Sequence, residues 1–70
     1  MRINIEQAKE KLAACLLAAQ SGDDERAHSL EDALHHDVIE TIAHGYAENP
    51  QAMADIAART AGIDFQRWRA

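Results

Sequence analysis

The sequence predicts an all-α fold: one small three-helix domain with a long central second helix and a short C-terminal helical turn. Three observations carry this reading. Apolar residues recur at helical spacing from residue 5 to residue 61, with two short interruptions. Each interruption holds residues that stop or start helices, and no stretch alternates with the two-residue period of a strand. Seventy residues is the size of a single small domain.

The first helix is expected from Ile5 to Gln20. Asn4 is a good N-cap, and Gln7 three residues on completes a capping-box pattern. Ile3, just before the cap, can staple against Ala8. Ile5, Ala8, Leu12, Cys15, Leu16 and Ala19 fall on one face, and Leu17 widens it. Ser21-Gly22 ends the helix, with Gly22 placed for a left-handed C-terminal position.

The second helix starts near Asp23 or Asp24 and runs to about His44, with Gly45 as its terminal glycine. Its stripe of Ala27, Leu30, Leu34, Val38, Ile42 and Tyr46, with Ile39 beside it, drifts around the helix because most steps are of four residues. A drifting stripe faces two neighbours, which makes this helix the central element. Ser29 and Asp32 could cap a second start, but a continuous helix is expected.

Asn49 caps the third helix and Pro50 takes its first position, where a missing N–H costs nothing. Met53, Ile56, Ala57 and Thr60 form its inner face. Gly62 followed by Ile63 fits a Schellman-type stop. Asp64 is then expected to cap a final turn that places Phe65 and Trp68 on one side.

Composition narrows the function. A chain of this length buries only about 60% of its unfolded surface, and such cores supply only about 3–5 kcal/mol. Dimerisation or a protein partner is therefore a natural source of further stability. Cys15 is the single cysteine, which excludes an internal disulfide and reads as a buried helix-interior residue. The N-terminal residues do not resemble a signal peptide, and the longest apolar run, 12–19, is far short of a span, so a cytoplasmic protein with no membrane role is expected. Net charge is −5. Residues 23–40 hold seven acidic residues against Arg26 alone, so direct nucleic-acid binding is not expected, and a basic protein surface is the more natural partner.

His28, Asp32, His36, Glu40 and His44 form an i, i+4 ladder. The ladder rotates about 40° per step, so the five cannot converge on one ion, and no metal or cofactor is expected. His35 lies beside Val38 and Ile42 and is expected to pack, half-buried, against a neighbouring helix. No elbow, paired-carboxylate cleft or activated nucleophile is legible, so the protein is read as non-enzymatic.

Two segments are the candidate partner-binding residues. One is the acidic side of the second helix, with Glu31, Asp32, Asp37 and Glu40. The other is the tail, with Phe65, Arg67 and Trp68, which serves either as a hydrophobic lock or as an aromatic–arginine anchor. The segments Ser29-Leu30-Glu31-Asp32-Ala33-Leu34 and Ile63-Asp64-Phe65-Gln66-Arg67-Trp68 give the chain a look similar to short, acidic, helical accessory proteins of bacterial prophages and mobile elements. That resemblance implies no residue roles. It adds inhibitors of host defence, including anti-CRISPR and anti-restriction types, to the readings. Three follow: a protein-binding adaptor or inhibitor, an acidic mimic of nucleic acid, and a histidine-based metal- or pH-responsive dimer.

Overall fold

The computed structural model describes residues 1–67. Three α-helices, α1 (Ile5–Gln20), α2 (Asp24–Ala43) and α3 (Pro50–Ala58), are followed by a 3-10 turn over Arg59–Gly62. Among the described residues there is no strand, and no helix is long and apolar enough to cross a membrane.

Local chemistry sets the helix ends. The Asn4 side chain accepts from the Gln7 N–H at 2.8 Å, and the Gln7 side chain accepts from the Asn4 N–H at 2.9 Å, which closes the capping box. Asp23 caps α2 through the Arg26 N–H and Asn49 caps α3 through the Ala52 N–H. α1 and α2 both end in full Schellman motifs. The Gly22 and Asp23 N–H groups donate to Ala19 and Ala18, and those of Gly45 and Tyr46 donate to Ile42 and Thr41. Gly22 and Gly45 have φ of 79° and 75° there. α2 is continuous through Ser29.

The third stop differs from the expectation. Gly62 does not adopt positive φ, and no Schellman motif forms. The helix instead tightens into the 3-10 turn, closed by the Ile63 N–H on the Thr60 carbonyl at 3.0 Å. The short C-terminal turn thus sits at Arg59–Gly62, while residues 64–67 are not helical and Asp64 opens no further turn. Trp68, Arg69 and Ala70 lie outside the described residues.

α1 and α2 run antiparallel: the Cys15 thiol meets the Ala27 carbonyl at one end, and the Ile3 N–H meets the Thr41 hydroxyl at the other. α3 packs across both helices. The core has two parts. Ile3, Ala8, Leu34, Val38, Met53, Ile56 and Ala57 fill one end. Cys15, Ala18, Ala27, Ile63 and Phe65 fill the other, and Leu12 packs against both.

Four apolar residues assigned to inner faces lie outside. Leu16, Leu17, Ile39 and Tyr46 are all exposed. On α2 the buried positions span about 220° to 340° of a wheel counted from Asp24. α1 and α3 both sit on that side, so Ile39, at about 60°, finds no neighbour helix, while Tyr46 lies past the end of α2 with Arg2 over its ring.

Candidate functional site

Two of the four acidic candidates on α2 point inward. Glu31 is only 7% exposed. The Arg67 Nε donates to both of its carboxylate oxygens at 3.1 and 3.3 Å, and Nη2 donates to Oε2 at 3.1 Å. Burial pushes the Glu31 carboxyl up, but the Arg67 guanidinium and the Thr60 hydroxyl outweigh it and hold it below the ordinary carboxylate range. The same guanidinium donates to the carbonyls of Thr60, Ile63 and Phe65 at 2.8, 3.0 and 3.4 Å, and lies 3.8 Å from the centre of the Phe65 ring. Phe65 is itself buried. Phe65 and Arg67 therefore form an internal lock rather than an exposed anchor, and Trp68 is not described.

Asp37 is also buried. Its Oδ1 accepts from the Met1 amine at 3.0 Å, and Lys11 Nζ stands 3.8 Å from Oδ2. Glu40, half-buried, pairs with the same amine and is lowered by it. Met1 is raised in turn, by Glu40 first and Asp37 second. The expected exposed row of carboxylates is thus broken. Asp32 stays on the surface, Glu40 at its edge, and Glu31 and Asp37 become the buried ends of ion pairs. Glu31, at about 340° on the wheel, already falls within the apolar stripe, but Asp37, at about 220°, falls outside it, and the charged partners of both come from distant chain.

The histidine ladder resolves into pairs, His28 with Asp32 at 3.2 Å and His36 with Glu40 at 3.4 Å. His35 behaves as expected, half-buried against α3, with Nε2 at 2.9 Å from both the Ala57 carbonyl and the Thr60 hydroxyl. His28, Glu31 and Asp32 bring one donor atom each within 4.8 Å of one another. The Arg67 guanidinium already occupies Glu31, so a second cation there meets like charge. Cys15 is fully buried, and burial pushes its thiol up, away from the reactive thiolate.

An open cleft of about 400 Å³ lies between the start of α1 and the α2–α3 connection. Ile3, Ile5 and Met53 form its floor, with Arg2 over the Tyr46 ring at 4.2 Å on one wall. What the sequence reading missed is the exposed apolar surface. Ile39 stands 66% exposed on the outer side of α2, between His36 and Glu40 in sequence, and Leu17 is 65% exposed on α1. Their signal was their angle on the wheel, at the far edge of each apolar stripe. Comparison with protein-family models, with curated proteins and with solved structures finds no match to this chain.

Proposed function

We propose that this domain is a non-enzymatic, cytoplasmic protein-binding module, an adaptor or inhibitor, that meets its partner through the outer side of α2. The observation that carries this reading is Ile39. It is a β-branched apolar residue left exposed in the C-terminal third of the longest helix, on a surface where no lysine or arginine occurs from Ala27 to Ala43. An apolar knob in an acidic frame suits a partner with a small hydrophobic pocket and a basic rim. The inward turn of Glu31 and Asp37 favours this over a mimic of nucleic acid, since a mimic needs its carboxylates in water.

The test is affinity capture from the native host with three baits: wild type, Ile39→Arg and Leu17→Arg. Both positions are exposed, so both variants should keep the wild-type circular dichroism and melting curve. The reading expects a discrete captured protein that is lost with Ile39→Arg, kept with Leu17→Arg, and weakened by salt. A captured set that Ile39→Arg leaves unchanged rules out the α2 surface.

A further inference from the structure

The two parts of the core are built differently. The cluster around Leu34 and Met53 comes mostly from the three helices, with Ile3 from the strand of chain before α1. In the cluster around Cys15, the helices supply only small buried residues, Cys15, Ala18 and Ala27. Its large buried side chains, Ile63 and Phe65, come from the segment after the 3-10 turn. Residues 64–67 have no helix or strand hydrogen bonds, so side chains hold this segment down. Burial of Ile63 and Phe65 gives the apolar part of that hold, and Arg67 gives the polar part, binding the Glu31 carboxylate and the carbonyls of Thr60, Ile63 and Phe65. The helix caps, the α1–α2 connection and the Leu34 cluster do not depend on it.

We propose that residues 63–67 are a strap that opens as a unit about the Arg59–Gly62 turn, latched by Arg67 on Glu31, while the three helices stay folded. Regions held by few contacts open at lower free energy than the whole domain. Opening uncovers Cys15, Ala18, Ala27 and the Glu31 carboxylate. It therefore gives the domain a second state with an apolar floor and one negative charge beside it.

Cys15 reports the opening, because its thiol is fully buried and donates to the Ala27 carbonyl at 3.3 Å. The experiment follows its labelling by an aromatic disulfide reagent in the full chain, as a function of urea. The expected wild-type rate is nearly flat at low urea, since strap opening exposes little surface, and bends into the steep limb of global unfolding at higher urea. Arg67→Ala should raise the low-urea rate about tenfold or more with helical circular dichroism kept, while Asp55→Asn, on an exposed ion pair, leaves it unchanged. A wild-type rate that keeps the steep global slope down to zero urea overturns the proposal. A Val38→Ala variant, cut in the cluster that stays folded when the strap opens, whose low-urea rate rises as far as its global stability falls does the same. Should Arg67→Ala fail to fold, the shape of the wild-type curve alone decides.

Discussion

Arg67 and Glu31, 36 residues apart in the chain, meet through three guanidinium–carboxylate contacts of 3.1 to 3.3 Å. The pair joins the tail to α2 and closes the end of the core that the helices leave shallow. A lysine keeps the charge but lacks the planar fork that reaches a carboxylate and several carbonyls together. Arg67→Lys is therefore expected to melt below wild type, and close to Arg67→Ala. A lysine variant with the wild-type melting temperature would show that charge alone is sufficient.

The same pair sets a pH dependence. The Glu31 carboxyl is held below the ordinary carboxylate range in the folded protein. A folded value below the unfolded one contributes stability that is present above about pH 4.3, the unfolded value, and is lost as pH falls through the folded value. Glu31→Gln should be less stable than wild type at neutral pH, and the gap should narrow as pH falls below about 4. Urea unfolding at a series of pH values measures this, and a gap that stays constant into acid contradicts the assignment.

Leu34 and Ile39 lie five residues apart on one helix and are expected to behave oppositely. Leu34 is fully buried in the larger cluster, so Leu34→Ala should cost about 2–5 kcal/mol. In a domain this small that is enough to populate the unfolded state in water. Ile39→Ala should stay within about 0.5 kcal/mol. Urea denaturation followed by circular dichroism separates the two.

Gly45 and Gly62 make a controlled comparison. A Cβ added at either would meet nothing within 4 Å, so any difference is a backbone effect. Gly45 has φ of 75°, and Gly45→Ala should cost about 1 kcal/mol. Gly62 needs no positive φ, and Gly62→Ala should be neutral or slightly stabilising. Equal losses at both positions would mean that the Gly62 turn is under a constraint its backbone angles do not reveal.

The helices follow from local sequence signals. Asn4 with Gln7, Asp23, and Asn49 with Pro50 are local devices whose partners lie within three residues, so each start was legible before any fold was known. Gly22 and Gly45 marked two stops for the same reason. What each helix face does is set instead by packing between distant segments. Gly62 yields to a 3-10 turn because Ile63 is drawn into the core. Glu31 and Asp37 turn inward because Arg67 from the tail and Met1 and Lys11 from the first helix region supply the opposing charge. Leu17 and Ile39 stay outside because three short helices can cover only one side of one another. A residue's angle on its own helix is local information. Which angles become interior depends on where distant chain comes to rest, and so, for this protein, does the choice between structural lock and exposed surface.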